Sequence, residues 1–334
     1  MSKTLIIAEA GVNHNGDIKL AHKLIDAAFN AGADIVKFQT FLPSELSTDY
    51  APLAEYQKSK IGNKLSQLEM LNNLKLSESD HNELIEHCNE KNIEFLSTPF
   101  DLKSLSLLKK FSLKRNKIPS GEITNLPLIR KIAEIKKPII LSAGMATLGE
   151  VEIALEEINK NGTNKDLITI LHCSTEYPAS IETVNLKAMN TIKSAFGVKV
   201  GYSDHTEGID IAVAAVALGA VIIEKHLTID RNLPGPDHKA SIEPDKFAEM
   251  VKNIRRVEIA LGSKIKKPSN QELENRKVAR KSIVAKKNIN IGDVFNSENL
   301  CVKRPGTGIS PLLWDQLIGT IARHEFKKND LIKW

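Results

Sequence analysis

Eight short apolar runs recur between Leu5 and Leu227, and amphipathic stretches with helical periodicity separate them. Near-continuous apolar strands that alternate with helices are typical of parallel βα units, in which helices cover both faces of the sheet. Eight such units in about 260 residues match the size of a (β/α)8 barrel. The predicted strands are Leu5–Ala10, Ile35–Thr40, Glu94–Thr98, Lys117–Glu122, Ile139–Gly144, Leu167–Cys173, Lys199–Ser203 and Val221–Leu227.

The stretches between these strands have the apolar spacing of helices that pack one face against a sheet. A doubly wound open sheet is the alternative, but the Gly-x-Gly-x-x-Gly sequence typical of its dinucleotide-binding members is missing after the first strand. We therefore predict an α/β fold with a (β/α)8 TIM barrel. The predicted helices are Leu20–Ala31, Glu78–Asn89, Leu102–Lys109, Leu126–Ile135, Glu150–Lys160, Asn185–Ala195, Ile209–Leu218 and Pro244–Leu261.

Two segments depart from this alternation. Residues 41–65 form a long polar stretch after the second strand, and such a stretch is predicted to be a functional lid or a mobile insertion. After residue 262 the pattern changes to short β-like pieces separated by Gly and Asn turns. We predict a barrel over residues 1–262, a linker over 263–276 and a small β-rich domain over 277–334, whose thin core calls for docking on something larger.

The composition excludes several classes of protein. With 42% hydrophobic and 26% charged residues, the chain has an ordinary globular composition. Its longest apolar runs are too short to span a membrane, and the start Met1-Ser2-Lys3 does not lead into a signal peptide. Three widely spaced cysteines suit neither a disulfide framework nor a zinc site. We expect a cytoplasmic protein with no membrane partner.

The charge is unevenly distributed. Residues 264–334 hold 15 Lys and Arg against 7 Asp and Glu, whereas the rest of the chain has a slight acidic excess. A basic module can bind nucleic acid, but this one has few aromatic residues for base stacking and its lysines are scattered. We therefore expect a solvated face, or a basic lid over an anionic substrate, and no nucleic-acid partner.

Polar residues stand at the carboxyl ends of all eight predicted strands. In a (β/α)8 barrel these ends form one face, and active sites lie there. Because a buried polar group costs free energy unless it is paired or used, this concentration predicts a catalytic face. The residues include Glu9, Lys37, Gln39, Thr98, Lys117, Ser120, Glu122, Ser142, His172, Thr175, Tyr177, Ser203, His205, Glu224 and His226.

The residue types at this face suit anionic substrates and a metal. Lys37 and Lys117, among serine hydroxyls, form a set of cations and donors suited to phosphate and carboxylate. His205 and His226 follow adjacent strands and, with Glu9 or another carboxylate, are predicted to hold Mn²⁺ or Mg²⁺ rather than thiolate-bound zinc. Taken singly, a histidine at a strand end is often a hydrogen-bonded core residue, but a pair beside two lysines favours the metal site.

Ten short motifs carry these residues in a fixed order along nearly the whole chain. They are Glu9-Ala-Gly-Val-Asn-His-Asn-Gly16, Lys37-Phe-Gln-Thr40, Ser97-Thr-Pro-Phe100, Lys117-Ile-Pro-Ser-Gly-Glu122, Ser142-Ala-Gly-Met145, His172-Cys-Ser-Thr-Glu-Tyr-Pro178, Gly201-Tyr-Ser-Asp-His205, Glu224-Lys-His226, Gly235-Pro-Asp-His238 and Lys303-Arg-Pro-Gly306. Together they resemble the sialic acid synthase family, which includes the legionaminic acid synthases.

This resemblance implies a (β/α)8 barrel followed by a C-terminal antifreeze-like (SAF) domain, in a homodimer with swapped C-terminal domains. It implies a metal-dependent condensation of phosphoenolpyruvate with N-acetylmannosamine, which gives N-acetylneuraminate and releases phosphate by C–O cleavage. The alternative is the same chemistry on 2,4-diacetamido-2,4,6-trideoxymannose, which gives N,N'-diacetyllegionaminate. A catalytically inactive carbohydrate-binding barrel is the alternative from a different class of protein.

The resemblance also implies roles for individual residues. Glu122 is the implied proton-transfer group, and Lys117 and Glu9 complete the implied catalytic set. Arg304 would come from the partner subunit's tail and meet the acetamido group, and His205 and His226 would hold the metal. The residues implied to bind phosphoenolpyruvate are Lys37, Lys117, Thr98, Ser120, Ser142, Thr175 and Ser203, and those implied to bind the sugar are Glu9, Gln39, Tyr177 and Asp237.

Overall fold

A computed structural model describes residues 3–48, 51–52 and 66–334. In these residues eight parallel strands form one sheet in the order β3-β2-β1-β8-β7-β6-β5-β4. Strands β3 and β4 lie side by side, which closes the sheet into a barrel and confirms the predicted fold. The strands are β1 Leu5–Gly11, β2 Ile35–Thr40, β3 Glu94–Pro99, β4 Asn116–Ile118, β5 Ile139–Ser142, β6 Ile168–His172, β7 Lys199–Asp204 and β8 Ile222–His226.

Helices follow the strands and cover the outside of the barrel. The helix Ile18–Asn30 shows the reason, because its buried residues Ala21, Leu24, Ile25 and Ala28 recur at helical spacing and form one apolar face. The barrel helices are Ile18–Asn30, Pro43–Leu46, Gln67–Leu74, Glu78–Lys91, Leu102–Lys110, Leu126–Ala133, Leu148–Lys160, Lys187–Phe196, Asp210–Ala217 and Pro244–Leu261. None of the helices in the described part of the chain is long and apolar enough to cross a membrane.

The inside of the barrel is filled by a separate apolar cluster. Six strands contribute one large residue each, and every one of these side chains is at most 5% exposed. Side chains that fill the barrel interior in layers are typical of this fold, so the barrel is a packed core rather than a pore. The cluster consists of Ile7, Ile35, Leu96, Ile140, Leu171 and Ile222.

The fourth strand is shorter than predicted. The sequence predicted a strand over Lys117–Glu122, whereas β4 ends at Ile118 and a 3-10 helix spans Ser120–Glu122. Pro119 lies between them, and it has no N–H to donate to a neighbouring strand. The strand therefore ends before the proline, and the chain turns over the end of the barrel.

The polar stretch predicted as a lid, residues 41–65, is described only in part. Pro43–Leu46 is a short helix, and the next described helix is Gln67–Leu74, which begins at a capping box between Ser66 and Glu69. Residues 49–50 and 53–65 lie outside the described residues.

The chain divides into two compact units, Met1–Gly262 and Ser263–Trp334. In the second unit, β9 (Ser282–Ala285) and β10 (Leu300–Lys303) pair antiparallel. A small core surrounds them, in which Ile283, Leu300 and Ile332 are at most 1% exposed.

The segment predicted to be a linker, residues 263–276, is partly helical. A helix begins inside it and runs over Asn270–Ala279. Ser269 caps this helix, because its hydroxyl accepts from the Glu272 N–H while the Glu272 carboxylate accepts from the Ser269 N–H. Residues 270–276 of the predicted linker therefore belong to a helix.

Candidate active site

A cavity of about 580 Å³ opens at the carboxyl ends of the barrel strands, a volume typical of small-molecule sites. His172, which was predicted at this face, does not line the cavity, and its Nε2 lies 2.7 Å from the Val184 carbonyl instead. Every barrel residue to which the family resemblance gave a role does line it. These residues are Glu9, Lys37, Gln39, Thr98, Lys117, Ser120, Glu122, Ser142, Thr175, Tyr177, Ser203, His205, His226 and Asp237.

The cavity floor is one layer above the apolar cluster that fills the barrel. Alternate residues of a strand point to the same side, so the residue two positions after each member of that cluster also points inward. These six residues are more polar than the layer beneath, and all of them line the cavity. They are Glu9, Lys37, Thr98, Ser142, Cys173 and Glu224.

Two buried lysines and two buried carboxylates form the floor. Lys37 Nζ lies 2.7 Å from Glu9 Oε2 and 3.6 Å from Glu224 Oε1. Lys117 Nζ lies 3.8 Å from Glu224 Oε2 and donates a hydrogen bond to the Ser142 hydroxyl. The Glu224 carboxylate therefore holds both ammonium groups beside the cavity.

Glu224 was predicted to lie at the catalytic face, but no binding or catalytic role was assigned to it. Its position was already visible in the sequence, because it lies two residues after the apolar Ile222 of the last strand and two residues before His226. Its side chain also accepts a hydrogen bond from the Ser203 hydroxyl, at 3.2 Å. Burial raises the pKa of Glu224, but Lys117 and Lys37 outweigh burial, so the net shift is downward and the group is a carboxylate.

The other floor groups have shifted pKa values as well. Burial raises the pKa of Glu9 to about 7, although Lys37 opposes the shift. Burial lowers the pKa of Lys117. For Lys37 the carboxylates of Glu224 and Glu9 outweigh burial and raise the pKa. The floor therefore keeps Lys37 charged at neutral pH, while Glu9 can gain or lose a proton there.

Hydroxyl and backbone amide groups form the part of the cavity wall that lies at the ends of β4 and β5. The Gly144 N–H donates to the Ser120 hydroxyl at 3.0 Å, and Ser120 contacts Cys173 Sγ at 3.3 Å. A Cβ atom on Gly144 would lie 2.5 Å from Thr175 Cγ2, so only glycine permits this close approach. The arrangement places hydroxyl donors beside the two lysines.

The two histidines face each other at the ends of β7 and β8. Their ring centroids are 5.3 Å apart, and the Tyr177 ring packs 4.2 Å from that of His205. His205 Nδ1 lies 2.6 Å from the Ser174 carbonyl, which fixes the proton on Nδ1 and leaves the Nε2 lone pair for a ligand. Asp237 Oδ2 lies 3.9 Å from His226 Nδ1.

These donors fit a divalent metal. Burial lowers the pKa of His205, and a neutral imidazole is the form that binds metal. Within the described residues no group of three or more His, Cys, Asp or Glu side chains is arranged to hold an ion. His205 and His226 are the side chains that would hold such an ion.

The remaining site residues lie towards the cavity mouth. Gln39 donates to Glu9 Oε1 at 3.1 Å. Asn125 donates to Glu122 Oε2 at 2.6 Å, but burial outweighs this bond and raises the pKa of Glu122. A half-buried carboxyl with a raised pKa is suited to proton transfer.

Arg304 belongs to the second unit of the chain, where it is exposed. Its Nε donates to the Ala279 carbonyl at 3.0 Å. Its assignment to the sugar therefore stays a prediction.

A (β/α)8 barrel whose cavity combines buried lysines, hydroxyl donors and paired histidines defines a class of enzyme suited to anionic substrates. The comparison with known proteins then gives the family. Residues 24–266 match the NeuB family and residues 280–334 match the SAF domain. The chain belongs to the NeuB family.

Relatives of known name cover the whole chain. The chain is 54% identical over 333 residues to the N,N'-diacetyllegionaminic acid synthase of Campylobacter jejuni, which covers 100% of both chains. It is 46% identical to the protein of the same name from Legionella pneumophila, over 98% of this chain and 93% of the relative. The crystal structure of N-acetylneuraminic acid synthetase from Leptospira borgpetersenii has a TM-score of 0.72 at 35% identity and covers 82% of this chain and 90% of that one.

The family resemblance stated from the motifs is thereby confirmed. The chain is an enzyme of the nonulosonic acid synthase type, and the inactive carbohydrate-binding protein is not supported.

Proposed function

We propose that the protein is an N,N'-diacetyllegionaminate synthase, which condenses phosphoenolpyruvate with 2,4-diacetamido-2,4,6-trideoxymannose. One observation supports the chemistry above all. The buried lysines Lys37 and Lys117 line the same cavity as His205 and His226. The choice of sugar is supported by the two full-length relatives that bear this name.

Phosphoenolpyruvate would lie on the floor of the cavity. Its phosphate and carboxylate require several cations and donors, and a buried lysine gives a charge-assisted bond of high strength. Lys37 and Lys117 supply the charges, while Ser120, Ser142 and Ser203 supply hydroxyls. Thr98 lies 3.2 Å from Lys37 Nζ and extends this set.

His205 and His226 would hold a divalent cation, for which we propose Mn²⁺, or Mg²⁺ in its place. The cation supplies Lewis-acid polarisation of the sugar aldehyde oxygen. The chain contributes the orientation of the ligands, because the Ser174 carbonyl fixes the tautomer of His205.

The sugar would occupy the mouth of the cavity. Glu9, Gln39, Tyr177 and Asp237 offer partners for its hydroxyl and acetamido groups. The side chains of Leu46, Met70 and Leu74 line the cavity as well, and apolar side chains suit a sugar that carries a methyl group in place of a hydroxyl.

The bond changes balance when water is counted as the third reactant beside phosphoenolpyruvate and the sugar. The methylene carbon of phosphoenolpyruvate forms a bond to the aldehyde carbon, and the aldehyde oxygen becomes a hydroxyl. Water adds at C2, and the C2–O bond to phosphate breaks, so the bridging oxygen leaves with inorganic phosphate. We assign proton transfer in these steps to Glu122, and its raised pKa and its position at the cavity wall support this role.

We also propose a homodimer in which Arg304 of one subunit meets the sugar bound in the barrel of the other. The positive charge of residues 264–334 suits contact with an anionic substrate. Co-expression of Lys117→Ala and Arg304→Ala subunits tests this directly. At amino-sugar concentrations well below KM, Lys117→Ala alone should be nearly inactive and Arg304→Ala alone about 10-fold less active than the wild type, whereas mixed dimers should regain about half of the wild-type activity through one intact composite site. Proven mixed dimers without regained activity would exclude the trans arrangement.

We place the protein in the cytoplasm. The three cysteines are free thiols, two of them buried, which suits a reducing compartment. Cell fractionation with detection of the protein tests this, and recovery with the membrane or secreted fraction would contradict it.

Phosphate release from phosphoenolpyruvate with a panel of amino sugars and Mn²⁺ tests the proposed reaction. We expect kcat/KM for 2,4-diacetamido-2,4,6-trideoxymannose to exceed that for N-acetylmannosamine by about 10-fold or more. Equal or better use of N-acetylmannosamine would reverse the choice of sugar. No phosphate release with either sugar would refute the synthase itself.

A further inference from the structure

Asp204 and Lys225 form a buried ion pair behind the cavity wall. Lys225 Nζ lies 2.7 Å from Asp204 Oδ2, and the two side chains are 1% and 0% exposed. The reaction proposed above uses neither residue. Each of them directly precedes one of the paired histidines, His205 and His226.

The strand register places the two residues side by side. In β7 the residues before and after Asp204 line the cavity, and in β8 the residues before and after Lys225 do so. Asp204 and Lys225 are partners in the parallel ladder. Because alternate side chains of a strand point to opposite faces, these two meet on the side away from the cavity.

The hydrogen bonds of this pair enclose His205. Lys225 Nζ also donates to the Thr206 carbonyl at 2.8 Å. Asp204 Oδ1 accepts from the Thr206 N–H at 2.9 Å and from its hydroxyl at 2.7 Å. One lysine of β8 therefore holds the residues on both sides of His205, so that His205 cannot shift relative to His226 without breaking buried bonds.

Stability alone does not account for a buried ion pair. The cost of removing two charges from water often equals or exceeds their attraction, and apolar residues of similar volume are often as stable. Such a pair instead fixes the positions of the two strands that carry it, since each buried charge must keep its partner.

We propose that the Asp204–Lys225 pair is a positioning device that sets the spacing of His205 and His226 and thereby the affinity for a divalent cation. This inference rests on the metal site of the proposed function. Replacing a side chain that orients a metal ligand without touching the metal commonly lowers metal affinity or activity about 10- to 100-fold.

The test is the double variant Asp204→Asn/Lys225→Met, which removes both charges at nearly constant volume and keeps an acceptor for Thr206. Mn²⁺ binding measured by calorimetry should weaken about 10-fold or more, with little change in the unfolding midpoint. In turnover, kcat should fall while KM for phosphoenolpyruvate stays the same.

A matched control is Glu94→Gln/Arg115→Met. This variant removes the ion pair between the start of β3 and the residue before β4, at the opposite end of the barrel. Its Mn²⁺ affinity should equal that of the wild type even where the unfolding midpoint falls. Equal weakening in both variants would show that general destabilisation is the cause, and would overturn the positioning role.

Wild-type Mn²⁺ affinity in a folded Asp204→Asn/Lys225→Met protein overturns the inference and leaves the proposed function intact. If that variant does not fold, Thr206→Val removes one hydrogen bond of the network and should weaken Mn²⁺ binding about 2- to 3-fold. Unchanged Mn²⁺ affinity of Thr206→Val also overturns the inference.

The His205→Ala/His226→Ala protein separates the positioning role from the metal site itself. If it binds Mn²⁺ as well as the wild type does, the metal site itself is wrong and the inference falls with it.

Discussion

The barrel and the tail unit distribute their charged residues in opposite ways. The barrel buries Glu9, Lys37, Lys117 and Glu224 side by side, each at most 5% exposed. Among the described residues from Ser263 to Trp334, no charged side chain is buried. Because burying a charge is costly, the barrel retains these charges for chemistry, whereas the tail keeps its charges in solvent.

The strongest test of this contrast compares a buried lysine with an exposed one. Lys117→Met removes a buried cation beside the phosphate and should lower kcat/KM on the order of 10³-fold. Lys286→Met, at an exposed lysine of the tail, should leave it unchanged. Steady-state phosphate release measures both, and a loss of less than 10-fold for Lys117→Met would contradict the role of the floor.

Metal removal should have the next largest effect. Protein treated with a chelator should be inactive, and Mn²⁺ should restore activity more fully than Mg²⁺, because a Lewis acid stabilises developing charge by several kcal/mol. His205→Ala should lower kcat about 100-fold or more, whereas His324→Ala, at an exposed residue of the tail, should not. Full activity in chelator would exclude the metal assignment.

Acid should destabilise the barrel rather than the tail. Burial, with a contribution from His81, lowers the pKa of His14 from 6.5 to about 4. Between these pH values the unfolded chain binds the proton and the folded chain does not, so stability is lost as the pH falls from about 6.5 to about 4. His14 alone should account for about 3 kcal/mol.

Urea unfolding followed between pH 7 and pH 4 measures this loss. The variant His14→Gln should show a smaller dependence on pH than the wild type. An equal dependence in the two proteins would show that other groups control the acid response.

The smallest expected effect concerns the tail. If Arg304 meets the acetamido group, Arg304→Ala should raise KM for the amino sugar about 10-fold through the loss of one charged hydrogen bond. The KM for phosphoenolpyruvate should remain unchanged, since we propose that Lys37 and Lys117 bind that substrate. Equal increases for the two substrates would remove Arg304 from the sugar end.

The sequence was sufficient for the fold because the apolar runs recur with the period of parallel βα units, and seven of the eight strands agree with prediction within about two residues. The exception, β4, was extended through Pro119 although a proline cannot continue a ladder. The helix at Asn270 was also missed. Its signal was present, because Ser269 and Glu272 have the spacing of a capping box.

The site was predictable where the type of side chain alone indicates its chemistry, as it does for lysines and histidines at strand ends. Glu224 was placed at the catalytic face but given no role, because a single glutamate in a strand does not show which groups it contacts. Only the register shows that it lies between Lys37 and Lys117. The Asp204–Lys225 pair likewise depends on which strands are neighbours, and that information is not local in the sequence.

The central claim is that the buried charges of the barrel condense phosphoenolpyruvate with an amino sugar through C–O cleavage. The most direct measurement uses phosphoenolpyruvate labelled with ¹⁸O at the bridging oxygen, with 2,4-diacetamido-2,4,6-trideoxymannose and Mn²⁺, and mass spectrometry of both products. The account predicts labelled inorganic phosphate together with an unlabelled nine-carbon sugar acid. Label in the sugar acid, or phosphate released without any sugar acid, would contradict it.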